Sequence, residues 1–131
     1  MRKGDGAPPR CKRRGFRACI HYDTYGHAVG DQLIRAAAGQ IQEAFGEDGT
    51  VYRMGGDEFL AMVTGKAAAE MDRFDRILQK RLEGSLTIEH GIPVRAAWGA
   101  ASTKEAPAAE LFRLADRRMY EKKRQMKQDA T

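Results

Sequence analysis

The chain has 131 residues, of which 42% are hydrophobic and 31% charged, and its formal net charge is +5. This length and balance predict one globular domain with a core of its own and leave no room for a separate sensor domain. No apolar run approaches the roughly 20 residues that span a bilayer, and the basic start lacks the apolar segment of a signal peptide, so we expect a cytoplasmic protein without a membrane anchor.

The positive charge is concentrated at the N-terminus. Residues 1–17 hold seven Arg or Lys and one Asp, so the rest of the chain carries 23 − 7 = 16 basic and 18 − 1 = 17 acidic residues. Such a start can bind nucleic acid through its phosphates, but it lacks the row of aromatic side chains that stacks on bases. We therefore expect residues 1–21 to be a disordered basic segment, residues 22–127 to form the domain and residues 128–131 to be a tail. Nucleic acid is not an expected partner.

The spacing of apolar residues predicts the secondary structure in chain order. Apolar positions at helical spacing predict three helices, over about 28–45, 68–82 and from Pro107 onward. Shorter apolar runs bounded by turn residues predict four strands, near 50–54, 58–64, 86–89 and 94–100. Helices and strands in this order predict an α+β layer in which helices pack on a mostly antiparallel sheet.

The first two of these strands are joined by the sequence Gly55-Gly56-Asp57-Glu58, which Phe59 follows. Adjacent glycines allow a tight turn with positive φ, and they allow a ligand to come close because no Cβ stands in the way. Asp57 and Glu58 then lie where that ligand would arrive, whereas Phe59 belongs to the core. The alternative is an ordinary hairpin loop with solvated charges.

Two further motifs lie in order on either side of this turn. Residues 23–31 read Asp-Thr-Tyr-Gly-His-Ala-Val-Gly-Asp and open a helix, and residues 114–123 contain alanine–aspartate and tyrosine–lysine landmarks on the last helix. Together with residues 55–59 they resemble the GGDEF family, the diguanylate cyclases, which condense two GTP molecules into cyclic di-GMP. The resemblance covers residue 23 to about residue 127, so the start of the domain is truncated or altered relative to the family.

The resemblance implies the palm-like antiparallel sheet with packed helices that nucleotidyl cyclases share. In that fold the first strand lies at the centre of the sheet and carries a metal-binding aspartate. Counted back from Asp23, this strand falls on residues 7–15, where two prolines and four cations do not suit a buried strand. We therefore expect the first central strand to be missing or atypical.

The resemblance also implies roles for individual residues. Asp57 and Glu58 become the catalytic carboxylates and the ligands of Mg²⁺, with Asp57 as proton acceptor. The implied contacts to GTP are Gly55 and Gly56 at the phosphates, His27 and Asp31 at the guanine pocket, and Lys123 and Lys127 at the triphosphate. A structural role at the helix start stays open for His27, as does a solvated helix face for the two lysines. An antiparallel homodimer is the implied active form.

Three positions and one motif depart from the family pattern. Counted without gaps, Arg14 falls on the first metal aspartate, Cys19 on a phosphate-facing lysine and Tyr22 on the guanine-binding asparagine. The product-inhibition motif Arg-x-x-Asp, expected at residues 46–49, reads Gly-Glu-Asp-Gly. We therefore expect half of the metal and substrate site to be lacking, and no feedback by the product.

Three interpretations stay open. The first is a diguanylate cyclase domain, a nucleotidyltransferase of bacterial cyclic di-GMP signalling, or the remnant of one. The second is a non-catalytic module of the same fold that binds GTP or a protein partner. The third is a nucleic-acid binder that acts through the basic start. The missing aspartate and asparagine favour the second for this chain.

Overall fold

The computed structural model describes residues 13–21, 26–65 and 71–129 of the protein. These residues form, in chain order, β1 (Arg13–Ile20), α1 (Gly26–Phe45), β2 (Gly49–Arg53), β3 (Glu58–Thr64), α2 (Met71–Leu82), β4 (Glu83–Thr87), β5 (Pro93–Ser102) and α3 (Leu111–Asp129). The three predicted helices and four predicted strands are confirmed to within a few residues, except that the predicted start of the second helix lies outside the described residues. No helix within the described ranges is long and apolar enough to cross a membrane.

The strands form one five-stranded sheet in the order β2-β3-β1-β5-β4, and every pairing within it is antiparallel. β1 lies in the middle of this sheet. Its last residues are paired on both sides, Cys19 opposite Glu58 of β3 and opposite Ala97 of β5. The prediction of an antiparallel α+β fold of the palm-like type is therefore confirmed.

The position of the central strand was predicted wrongly. We expected the strand at residues 7–15 to be missing or atypical and residues 1–21 to be disordered, yet Arg13–Ile20 form β1. Alternation explains the strand: Phe16, Ala18 and Ile20 are buried on one face. The domain thus begins before residue 22, and at the other end α3 runs to Asp129 rather than ending at 127. Residues 1–12 lie outside the described part of the chain.

Helices cover both faces of the sheet. Phe16, Ala18 and Ile20 pack in one cluster with the apolar stripes of α1 and α2. The odd-numbered residues of β1 face the other way, where Cys19 packs with Ala97 and Met119 against α3. Because successive side chains of a strand point to opposite faces, β1 contributes to both layers. It also positions the side chains at its C-terminal end.

Gly99 of β5 lets α3 lie directly on the sheet. A Cβ built on Gly99 would lie 2.5 Å from the backbone nitrogen of Met119, 2.7 Å from Cβ of Arg118 and closer still to the carbonyl oxygen of Ala115. These atoms belong to the helix itself and cannot rotate aside. The glycine therefore sets the distance between α3 and the sheet.

An ion pair fixes the middle of α3 to the loop that follows β5. Arg118 donates to both carboxylate oxygens of Glu105, at 2.6 and 3.0 Å, and to the carbonyl oxygen of Ala100 at 2.7 Å. The hydrogen bond from Arg118 holds the pKa of Glu105 below its usual range, and the backbone N–H of Ser102 acts in the same direction. A carboxyl group whose pKa is lower in the folded state stabilises the fold above its unfolded pKa, and this contribution is lost as the pH falls through the folded pKa.

Glu105→Gln should therefore flatten the acid side of the stability profile. We expect the wild-type domain to lose about 0.5 kcal/mol more than the variant between pH 6 and pH 3, a small value because solvent screens a half-exposed pair. Urea midpoints across this range measure the difference. Glu47→Gln, at an exposed position, is the control and should keep the wild-type slope, while parallel profiles for Glu105→Gln and wild type would contradict the prediction.

Candidate functional site

The turn between β2 and β3 is held from two sides. Arg53 donates to the carbonyl oxygens of Gly55 and Gly56 at 3.2 and 3.1 Å, and the N–H of Ile20 donates to the carbonyl oxygen of Asp57 at 2.9 Å. Neither glycine has a positive φ within this turn, so that part of the prediction is wrong. Both are exposed, and no heavy atom lies within 4 Å of where their Cβ atoms would be. The turn thus leaves open space over its backbone.

Three side chains with metal-binding atoms meet beside this turn. One ligand atom from each of Cys19, Asp57 and Glu58 lies within 4.8 Å of the others. The Cys19 thiol donates to Oδ2 of Asp57 at 3.7 Å. Burial raises the pKa of the Cys19 thiol, and the negative charge of Asp57 raises it further, while Lys123 acts in the opposite direction. The group is therefore a neutral thiol at neutral pH.

Arg17 lies at the same cluster on the face of β1 that α3 covers. Its Nη2 lies 2.5 Å from Oε1 of Glu58 and 3.4 Å from Oδ1 of Asp116. The Arg17 side chain is 15% exposed. Glu58 is thus already paired with a cation that comes from the central strand.

A small cleft of about 20 Å³ lies between the turn and the C-terminal part of α3 and opens to solvent. Its walls include Cys19 and His21 at the end of β1, Asp57 of the turn, and Lys123 and Lys127 of α3. Two cations therefore face one carboxylate and one thiol across this cleft.

The predicted site residues fall into two groups. Asp57, Lys123 and Lys127 line the cleft, and Glu58 lies beside it as the first residue of β3. His27 and Asp31 lie in the first turns of α1, are exposed, and are not part of the cleft wall. The residues that sequence reasoning missed here are Arg17, His21 and Asp116. Phe59 is buried in the core as predicted.

Arg14, which counting without gaps puts at the metal position, lies at the far end of β1, opposite Val63, where its guanidinium binds Asp75 of α2. Cys19 is the residue of the central strand whose side chain lies beside Asp57. Only residues 21–25 connect β1 to α1, and Tyr22 and Asp23 lie outside the described residues.

The fold and the carboxylates at its hairpin turn define a domain of the palm-like nucleotidyl-cyclase class. The chain belongs to the GGDEF domain family, because the family model described as diguanylate cyclase, GGDEF domain, matches residues 20–129. The match begins at the last residue of β1, and it includes α1, the turn and α3.

Relatives and a solved structure agree with this assignment. The chain is 37% identical over 111 residues to the probable diguanylate cyclase DgcT of Escherichia coli, with 77% of this chain and 24% of that protein covered. It is 32% identical over 104 residues to the probable diguanylate cyclase DgcI of the same organism, with coverage of 78% and 22%. The crystal structure of the GGDEF domain of YfiN, or TpbB, from Pseudomonas aeruginosa superposes with a TM-score of 0.70 at 28% identity, covering 88% of this chain and 78% of that one. The chain thus spans about a quarter of the length of these two curated relatives.

Diguanylate cyclases generally depend on a divalent metal, so the donor set can be compared with Mg²⁺. The carboxylates of Asp57 and Glu58 are the oxygen ligands that Mg²⁺ prefers. The third donor is the neutral thiol of Cys19, a soft ligand that Mg²⁺ does not favour. The guanidinium of Arg17 further repels a second cation at Glu58. Among the described residues, the side chains beside the turn do not fit the Mg²⁺ site that the resemblance implies.

Proposed function

We propose that this GGDEF domain binds GTP over the cleft beside Asp57 without converting it to cyclic di-GMP, and so acts as a non-catalytic regulatory module. The observation that carries the proposal is the thiol of Cys19, which lies 3.7 Å from Asp57 on the central strand, the strand to which the resemblance assigns a metal-binding carboxylate. GTP is a cytoplasmic metabolite, and the proposal therefore places the domain in the cytoplasm.

The cleft offers the charges that a triphosphate needs. Lys123 and Lys127 lie one turn apart on α3 and reach the same space from one side. Ammonium groups bind phosphate oxygens through charge-assisted hydrogen bonds, which are about twice as strong as neutral ones. The open backbone of the turn at Gly55 and Gly56 provides a second surface against which phosphates can lie.

Turnover of GTP requires more than binding. A 3′ hydroxyl must lose its proton while negative charge builds on the attacked phosphate, and preorganised positive charge at that point lowers the barrier. In this chain Arg17 is drawn towards Glu58 and Asp116 rather than towards the cleft. Asp57 can accept a proton, but within the described part of the chain the second carboxylate beside it, Glu58, is already paired with Arg17.

Binding and turnover are separated by two measurements on purified protein. Calorimetric titration with GTP, in the presence of Mg²⁺ and again with EDTA, gives the affinity. We expect binding in both, and about a tenfold weaker affinity for Lys123→Ala because one charge-assisted phosphate contact is lost. Lys104→Ala removes an exposed lysine at the other end of the sheet and should bind like wild type.

Incubation with GTP and Mg²⁺ followed by chromatography for cyclic di-GMP tests turnover, with Asp57→Ala as the control. We expect no product from wild type. Folded wild-type protein that binds no GTP would overturn the proposal. Product that disappears in Asp57→Ala would establish the second candidate instead, an active diguanylate cyclase.

This second candidate is favoured by the intact pair Asp57 and Glu58 beside the cleft. In it, Asp57 would accept the proton of the 3′ hydroxyl, and two copies of the domain would have to face each other because one cleft presents one nucleotide. A homodimer is therefore required by the second candidate and not by the first. Sedimentation with and without GTP distinguishes them independently of product formation.

A further inference from the structure

Arg17 is the cation that pairs with Glu58 at the turn. It projects from the middle of the central strand and pairs with Glu58 of β3 at 2.5 Å and with Asp116 of α3 at 3.4 Å. Its side chain is only 15% exposed, so solvent screens these contacts weakly. Three secondary-structure elements therefore meet around one guanidinium.

We propose that Arg17 is a built-in cation that replaces a divalent metal at this carboxylate cluster and makes the folded domain refractory to such metals. The inference rests on the assignment of the turn as the functional site, but it concerns metal and not nucleotide. The resistance to divalent metals would come from residues of this chain alone.

Charge balance supports the proposal. Asp57, Glu58 and Asp116 carry three negative charges, and Arg17 together with Lys123 of the cleft returns two positive ones. One net negative charge is left for three carboxylates, while the third atom of the potential ligand group is the thiol of Cys19. A divalent ion entering at Glu58 would meet the guanidinium at close range in a poorly screened environment.

Arg17 is also not fully satisfied where it lies. Within the described part of the chain, its Nε and Oδ1 of Asp116 are buried without a hydrogen-bond partner. A charge held with incomplete hydrogen bonding is not the arrangement that best stabilises a fold. Removing the guanidinium leaves Glu58 and Asp116 facing each other without a shared cation, and a divalent metal can relieve that repulsion.

Thermal unfolding with Mn²⁺ as the probe and without nucleotide tests the proposal. We expect 5 mM Mn²⁺ to leave the Tm of wild type unchanged. Arg17→Met should have a lower Tm, and Mn²⁺ should raise it by about 5 °C, since a ligand that binds only the folded state stabilises it. The double variant Arg17→Met with Asp57→Asn should lose this response. Arg113→Met removes an exposed arginine of α3 and should behave like wild type.

Each outcome of this experiment either supports the proposal or contradicts it. Stoichiometric Mn²⁺ binding by wild type that Glu58→Gln abolishes would overturn the proposal, and so would an Arg17→Met variant whose Tm ignores Mn²⁺. If Arg17→Met is unfolded without metal, recovery of its circular dichroism signal on adding Mn²⁺ supports the proposal, and failure to recover counts against it. None of these results depends on GTP, so a domain that fails to bind GTP would sink the proposed function and leave this inference standing.

Discussion

Gly99→Ala should destabilise the domain by about 3 kcal/mol, the upper range for overpacking a core. The new Cβ would overlap the backbone of α3 at Met119 and Ala115, and no side-chain rotation can relieve this overlap. The helix must move away from β5, and contacts along both Ala97 and Ala101 loosen with it. Urea unfolding followed by circular dichroism measures the change as a shift of the midpoint.

Gly39→Ala is the matched control for this substitution. Gly39 lies inside α1, is exposed, and has no heavy atom within 4 Å of the Cβ position. Alanine there should stabilise the domain by up to about 1 kcal/mol because it favours the helix over the unfolded chain. If both glycine variants shifted the midpoint in the same direction and by similar amounts, the close approach of α3 to the sheet would not be the reason that position 99 requires glycine.

Asp75→Ala should cost about 3 kcal/mol for a different reason. Arg14 contacts both oxygens of Asp75, at 2.5 and 2.6 Å, and its side chain is only 11% exposed. Its Nε already has no hydrogen-bond partner among the described residues. Without Asp75 the guanidinium remains in the fold as an uncompensated charge, which is far costlier than the loss of a surface pair.

The exposed pair of Glu110 and Arg113 provides the comparison. These side chains are 43% and 82% exposed and lie 3.2 Å apart on neighbouring turns. Glu110→Ala should change the free energy of unfolding by less than about 0.5 kcal/mol. The double variant Arg14→Met with Asp75→Leu should recover most of the stability that Asp75→Ala loses. A double variant as unstable as Asp75→Ala would show that shape, not charge, sets the cost.

Local pattern predicted most of the fold. The stripe that ends at Phe45, the turn at residues 55–59 and the final helix are encoded in short stretches, and the structure places them where expected. β1 could not be predicted in this way because its arginines find their partners far along the chain. Arg14 and Asp75 are 61 positions apart, and Arg17 and Glu58 are 41 apart. The local composition alone therefore argues against a buried strand at these arginines.

A usable signal for β1 was nevertheless present. The alternation of Phe16, Ala18 and Ile20 predicts a strand with one apolar face, and it outweighs the charges once each arginine is allowed a distant partner. The prediction of the metal position depended on the same part of the chain. Counting without gaps put it at Arg14, whereas the structure brings Cys19 beside Asp57. The cleft itself was predictable only in part, since Lys123 and Lys127 follow a motif but His21 does not.

The central place of β1 also bears on how the chain folds during synthesis. Phe16 pairs with Ala61 on one side and with Ala100 on the other. At roughly 5 to 20 residues per second, the 100 − 16 = 84 residues between Phe16 and its second partner take roughly 4 to 17 s to emerge. Throughout that interval β1 presents an open edge and an apolar face to its surroundings, which is the condition under which nascent chains aggregate. A product that stops before β5 would never close that edge.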